Sequence, residues 1–166
     1  MKTRRSFLKE SGLLLAAGTL PLSTFAISRN EKDEAQEITV TLYVDTKAIQ
    51  KPNDSEYCNF GQGAGISNEE FTIVANVGDT ITWRGVSSSA PSTDTVSISA
   101  INYEGGKNVF GENVLKDSNS NPGRVSGVVR YKTGNQFCKY KIMFTVTNSG
   151  AKRGGTFQID PKIEVH

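Results

Sequence analysis

The chain has 166 residues, with 19 lysines and arginines against 17 aspartates and glutamates, two cysteines and a single histidine, His166. That is one domain's worth of sequence, too short for a two-domain enzyme, and its near-neutral balance excludes a basic nucleic-acid binder. One histidine at the end of the chain removes every site that needs two imidazoles, or one held inside a packed fold.

The charge is unevenly placed. Lys2, Arg4, Arg5 and Lys9 against Glu10 carry +3 before residue 27, which leaves 15 basic and 16 acidic side chains for the remainder. Thr3 to Lys9 reads Thr-Arg-Arg-Ser-Phe-Leu-Lys, followed by an apolar stretch from Gly12 to Leu22 and by Thr24 and Ala26 at the small-residue positions of a cleavage site. The seven-residue run resembles a twin-arginine translocation signal, in which Arg4 and Arg5 are the residues read by the translocase. Residues 1–26 are therefore expected to be a signal peptide removed after Ala26, and the protein to be periplasmic or secreted. The apolar stretch is interrupted by Pro21 and is far shorter than the ~20 residues a spanning helix needs, so no stable membrane anchor is expected. Residues 27–37 are polar and charged without an aromatic residue, and read as a flexible leader.

From residue 38 onward the pattern has a period of two. Ile38, Val40, Leu42 and Val44 alternate with Thr39, Thr41 and Tyr43, and Phe71, Ile73 and Ala75 alternate with Thr72 and Val74. The segment Asn76-Val77-Gly78-Asp79 turns the chain into Thr80-Ile81-Thr82-Trp83-Arg84, where Trp83 shares the phase of Ile81 and is expected in the core. Val96, Ile98 and Ala100 form another run, and Val125 to Tyr131 is β-branched-rich. In the longest run Cys138, Tyr140, Ile142, Phe144 and Val146 face one way, while Lys139, Lys141, Met143, Thr145 and Thr147 face the other. Phe157 to Ile159 and Ile163 to Val165 close the chain around Asp160-Pro161. Seven or eight strands without sustained helical periodicity predict an all-β fold over 38–166, an antiparallel Greek-key β-sandwich of cupredoxin or immunoglobulin type, with a closed barrel as the alternative. The long loops 51–68, 87–94 and 105–123 are where a binding surface is expected.

The chemistry available is limited. Val77 to Trp83 looks like an early cupredoxin hairpin, but a blue-copper site needs two histidines, and ordinary zinc sites fail on the same count. Cys138 lies mid-strand without an internal histidine to act as base, and no Ser-His-Asp set can be assembled. Glu69, Glu70, Asp79, Asp94, Glu104 and Glu112 are available carboxylates, yet no spacing singles out a pair. The expectation is a protein without catalytic residues, cofactor or metal. Cys58 and Cys138 are a candidate disulfide in an oxidising compartment; it would close 80 residues and contribute about 4 kcal/mol in the chain-entropy model. Tyr57, Phe60, Asp94, Asp117 and Asn119 are the candidate ligand-binding residues of the loops, supplying aromatic faces and polar groups suited to carbohydrate, with turn formation as their plain alternative. A calcium site from Asp94, Asp117 and Asn119 lacks a repeated Asp-x-Asp pattern.

From Asp45 onward the chain resembles the AidA/PixA inclusion-body protein family. The resemblance rests on Val44-Asp45-Thr46, on Ala75 to Ser87 (Ala-Asn-Val-Gly-Asp-Thr-Ile-Thr-Trp-Arg-Gly-Val-Ser), and on Phe157 to Ile163. It implies a bacterial β-sandwich made in quantity, associated with host interaction or intracellular inclusions, and carries no catalytic residues over. Two departures stand out, an export signal and only two methionines, Met1 and Met143, both of which count against intracellular storage. The reading is thus a non-enzymatic exported protein that binds a carbohydrate or protein ligand, with a self-assembling homo-oligomer and a copper-free cupredoxin-like protein as alternatives. Its expected partners are the twin-arginine translocase during export and that ligand, with no nucleic acid.

Overall fold

The computed structural model describes residues 34–166. The expected signal peptide, with Arg4 and Arg5, and the leader up to residue 33 lie outside the described residues. Ten strands make up most of the rest: β1 (Glu37–Val44), β2 (Cys58–Asn59), β3 (Thr72–Ala75), β4 (Thr80–Ser87), β5 (Asp94–Gly106), β6 (Val114–Lys116), β7 (Arg124–Val128), β8 (Cys138–Asn148), β9 (Ala151–Ile159) and β10 (Lys162–Val165). The only helical element among the described residues is a 3-10 turn, Asp54–Tyr57. The end of the expected leader is part of the fold. Gln36 N donates to Asp79 Oδ1 at 2.8 Å, and Glu37 opens β1 one residue ahead of the expected start.

The strands form two sheets. One runs β2-β1-β4-β7, the other β3-β10-β8-β5-β6 with β9 added to the far half of β8. The expectation of purely antiparallel pairing needs correction at two places. β1 and β4 are parallel, with Val40 beside Trp83 and Val44 beside Ser87, and β3 and β10 are parallel, with Ile73 beside Ile163. Both parallel partners are separated by long excursions of chain, as parallel pairing requires. The two sheets are therefore mixed and not purely antiparallel.

The alternation read from the sequence sets the inner faces. Cys138, Tyr140, Ile142, Phe144 and Val146 are all buried on β8, while Lys139 is exposed and Met143 half-buried. Trp83 on one sheet meets Tyr140 on the other, ring against ring at 5.5 Å and 62°, with the indole N–H donating to Tyr140 Oη at 3.1 Å. That bond gives the buried indole N–H an acceptor inside the core and engages the Tyr140 oxygen at the same time. Burial also pushes the Tyr140 phenol well above its ordinary range. At Gly85 and Gly127 the sheets come too close for a side chain. A Cβ at Gly85 would overlap Val96 Cγ1 and at Gly127 would overlap Leu115 Cδ1, so glycine is what lets β4 and β7 cross the strands of the second sheet.

Candidate functional site

The molecule has two recognisable ends. At the upper end β1 and β4 finish together and β5 starts opposite the end of β8, with Asp94 paired to Asn148. At the lower end lie the turn before β4, the start of β8 and the chain between β7 and β8.

The upper end is tied by Asp94. Thr46, fully buried, donates from Oγ1 to Asp94 Oδ2 at 2.6 Å, which leaves the hydroxyl to accept from Ser87 Oγ at 2.7 Å. Asn148 Nδ2 donates to the same Asp94 oxygen at 2.9 Å and to Thr46 O at 3.0 Å, while Thr93 Oγ1 and Ser149 N reach Asp94 Oδ1. Arg153 Nη1 completes the corner by donating to Thr46 O at 2.8 Å and Lys47 O at 2.6 Å. These donors, the Thr46 hydroxyl foremost, hold the Asp94 carboxyl below its ordinary range. Asp94 was expected in a ligand-binding loop; its oxygens are taken up by the protein's own corner.

Tyr57 and Phe60 differ from expectation in the same sense. Phe60 stacks on Phe71 at 4.5 Å and 12°, both packed against the core, and Tyr57 packs there too, its Oη accepting from Gln50 Nε2 at 3.2 Å. They anchor the long loop instead of offering free ring faces. Asp117 and Asn119 are exposed in the turn after β6; Asp117 Oδ2 accepts from Gly123 N at 3.3 Å, and the turn packs along β5 at Ser97 and Ser99, away from Asp94 at the strand's start. Among the described residues no three acidic, histidine or cysteine side chains are grouped for a metal ion.

The candidate disulfide does not form: Cys58 and Cys138 are both free and buried. Cys58 pairs with Val44 at the upper end of the first sheet, whereas Cys138 starts β8 in the second sheet two residues below Tyr140, itself level with Trp83. Trp83 is beside Val40, so roughly six residues of strand, about 20 Å, separate the thiols along the fold, against the ~6 Å between Cα atoms that a disulfide allows. Burial, with Asp54 adding to it, pushes the Cys58 thiol up to about 12, and burial raises that of Cys138 as well.

One concavity is built by the loop that Tyr57 and Phe60 anchor. It is a pocket of about 370 Å³ lined by residues between Ser55 and Glu69. Its walls are held by two amides that sequence reasoning missed. Asn68 is buried; its Nδ2 donates to Cys58 O and Ser55 O at 2.9 Å, and its Oδ1 accepts from Gln62 Nε2 at 2.8 Å. Gln62 Oε1 in turn accepts from Phe60 N. Asn59 Oδ1 accepts from Gly61 N, Ser67 Oγ from Glu70 N and Glu69 Oε1 from Ser55 Oγ, so Asn59 Nδ2, the Ser67 O–H, the second Glu69 oxygen and Glu56 are the polar groups left to face an occupant. The only sequence signal for the staple is a pair of amide side chains, Gln62 within the stretch Gly61 to Gly65 and Asn68 three residues after it.

The remaining carboxylates fall into separate groups. Asp79 is buried and accepts from Gln36 N and Asn76 N, closing the turn ahead of β4. Glu112 lies 4.0 Å from exposed Arg130, and Glu104 is 3.5 Å from Lys141. Glu69, Glu104 and Asp160 share a smaller pocket of about 220 Å³ with Lys139 and Lys162. Burial holds Asp160 above its ordinary range, against the pull of Lys141 and with a push from Glu104 and Glu69.

Residues 58–133 match the family model described as PixA: Inclusion body protein. The match contains the central stretch Ala75 to Ser87 on which the resemblance rested. Among solved structures, the chain is similar to the crystal structure of an inclusion body protein of the PixA family from Burkholderia cenocepacia J2315, with 18% sequence identity and a TM-score of 0.62. The likeness covers 82% of this chain and 99% of that one, and shows a shared fold. No curated protein matches the sequence.

Proposed function

We propose that this protein, whose central segment and fold support membership of the PixA inclusion body family, is a non-enzymatic, exported binding protein. It takes a polar ligand, a carbohydrate, in the Ser55–Glu69 pocket. The observation that carries this reading is the pocket's construction. A 370 Å³ concavity is framed by a loop that its own amides and a stacked phenylalanine pair hold in place, and its mouth offers carboxylate, amide and hydroxyl groups. Such groups exchange hydrogen bonds with sugar hydroxyls, and a pre-shaped loop lowers the ordering cost of binding. Reaction chemistry has less support. The thiols are buried with raised pKa values, the one histidine is exposed at the end of the chain, and the Asp94 carboxylate is saturated by donors. Export by the twin-arginine route rests on Thr3 to Lys9 alone.

Isothermal titration against a panel of neutral and acidic oligosaccharides tests the reading. At least one should bind saturably, and Asn59→Ala combined with Glu69→Gln should weaken it about tenfold or more, the scale of losing two hydrogen bonds, one of them to a charged group. Absence of binding across the panel would remove carbohydrate, and saturable turnover would remove the non-enzymatic reading.

A second reading, self-assembly, is favoured by one observation. β3 is the outer strand of its sheet, four residues long, and carries Val74 at 56% exposure. An unpaired edge of this kind can accept a strand from a second copy. Sedimentation should then show concentration-dependent oligomers that Val74→Lys disperses.

A further inference from the structure

We propose that the Ser55–Glu69 pocket is one end of a furrow that takes an amino-sugar oligomer, with the ammonium group of one unit against Glu69. The inference rests on the carbohydrate reading of that pocket and names the sugar. Two further concavities share walls with it. The nearer, of about 110 Å³, lies across Ser55 and Glu69 and is closed on its far side by Gln158 and Asp160. The 220 Å³ pocket follows, sharing Glu69 and Asp160 with the nearer one and ending on Lys139, Tyr140 and Lys162. Glu69 thus borders all three concavities. Neither added concavity reaches the ~300 Å³ of an ordinary ligand site, so both fit as extensions of the pocket and not as separate sites.

Bonds between distant parts of the chain hold these walls together. Gln158 N donates to Asp54 Oδ2 at 3.0 Å, which ties β9 to the 3-10 turn, and Lys162 N donates to Phe71 O at 3.0 Å, which ties the β9–β10 corner to the chain just after Glu69. Tyr140 N donates to Pro161 O at 3.4 Å, and Glu104 stands at the bulge of β5 opposite Lys139 and Tyr140. The charged side chains are graded along the furrow. Those lining the 370 Å³ pocket are Glu56 and Glu69. Those lining the middle are Glu69, Asp160 and the buried Asp54, whose Oδ2 is taken by Gln158 N. Lysines line only the third concavity, where Lys139 and Lys162 accompany Glu104, Glu69 and Asp160.

The neighbouring cations are directed elsewhere. Lys141 pairs with Glu104 at 3.5 Å, Lys162 Nζ stands 5.6 Å from the centre of the Phe137 ring, and Lys51, beside Pro52, has its Nζ 5.9 Å from that of Phe157. Among the described residues Glu69 and Asp160 make no ion pair. Burial, and then Glu104 and Glu69 against the pull of Lys141, hold the Asp160 carboxyl above its ordinary range, so a cation placed between Glu69 and Asp160 relieves a repulsion already present. A neutral sugar leaves these carboxylates without a charged partner, and a uronic acid adds to their repulsion. An amino sugar supplies the ammonium, while its hydroxyls meet Asn59 Nδ2 and the Ser67 O–H in the pocket and the lysines at the far end.

The test is isothermal titration of the full chain with the dimer and hexamer of glucosamine and with the dimer and hexamer of N-acetylglucosamine, at a pH that keeps the free amine protonated. The glucosamine hexamer should bind about tenfold or more tighter than its acetylated counterpart, the scale of a hydrogen bond to a charged group, and added salt should shrink the difference. It should also bind about tenfold or more tighter than the glucosamine dimer, which is too short to engage all three concavities. Glu69→Gln should bring the two hexamers to within about threefold of each other, and Asp160→Asn should narrow the gap between hexamer and dimer; both side chains are exposed, so neither change strips the core. Binding of the acetylated hexamer as tight as that of the free amine, or an amine preference unaltered in Glu69→Gln, would overturn the proposal and leave the carbohydrate reading standing. A hexamer no tighter than the dimer would overturn the furrow. Absence of binding by every sugar would remove both readings together, and tighter binding of a lysine hexamer than of the glucosamine hexamer would replace the sugar with a basic peptide.

Discussion

The two ends of this fold hold polar and apolar groups in opposite ways. At the upper end Thr46, Ser87, Asp94, Asn148 and Arg153 spend their side chains on one another and on the backbone, closing the corner where four strands meet. At the lower end Val77, Tyr131 and Phe137 stand exposed with lysines over the rings and no packing partner beyond them. A polar cluster is thus not a binding site merely because it lies in a loop. What distinguishes the ends is that the upper-end side chains spend most of their bonding capacity on one another, with the buried Asn148 Oδ1 left without a partner.

The largest expected effect comes from breaking the upper corner. Thr46→Val keeps the shape and removes the donor to Asp94 and the acceptor for Ser87, which should cost about 1–3 kcal/mol in denaturant unfolding, the range for buried groups stripped of a partner. Acid should loosen the same corner more gradually. Hydrogen bonds lower the folded-state pKa of Asp94, so its stabilising contribution is complete above the unfolded carboxylate pKa of about 3.9 and is lost as pH falls through the lower folded value. Asp45 is lowered in the same way through Ser89 and adds to this dependence. Melting temperature should therefore fall as pH drops below about 4, and Asp94→Asn should flatten part of that slope. At the lower end Tyr131→Ser with Phe137→Ser should change stability by only about 0.5 kcal/mol per site, as for surface residues without committed partners. The smallest effect concerns the thiols, one at each end. Reductant should leave the melting temperature unchanged, and neither cysteine should react with a thiol reagent at neutral pH until the protein unfolds.

What the sequence made legible follows from the range of the interactions involved. Alternation along β8 assigns each of its side chains to a face, because strand geometry fixes that locally, and the phase of Trp83 with Ile81 places the indole inside. Alternation does not name a neighbour, so the parallel pairing of β1 with β4 was invisible, as were β2 and β6, which at two and three residues are too short to show a period. Asp94 illustrates the limit at the site. Its partners Thr46 and Asn148 lie 48 and 54 residues away, and nothing near Asp94 in the chain announces them. Tyr57 and Phe60 sit in a loop by sequence, yet Phe60 finds Phe71 and turns inward. Cys58 and Cys138 could be paired by compartment and count, while the separation that prevents it exists only in three dimensions.

The most direct test of the central claim is a nitrogen–proton NMR titration of the protein with the oligosaccharide panel, observing protein and sugar signals together. Ligand binding without chemistry at the stapled loop predicts shifts concentrated in residues 55–69, saturating with concentration, while the sugar's own resonances persist without new products. Shifts confined to other regions, none from any sugar, or the growth of product signals would contradict it.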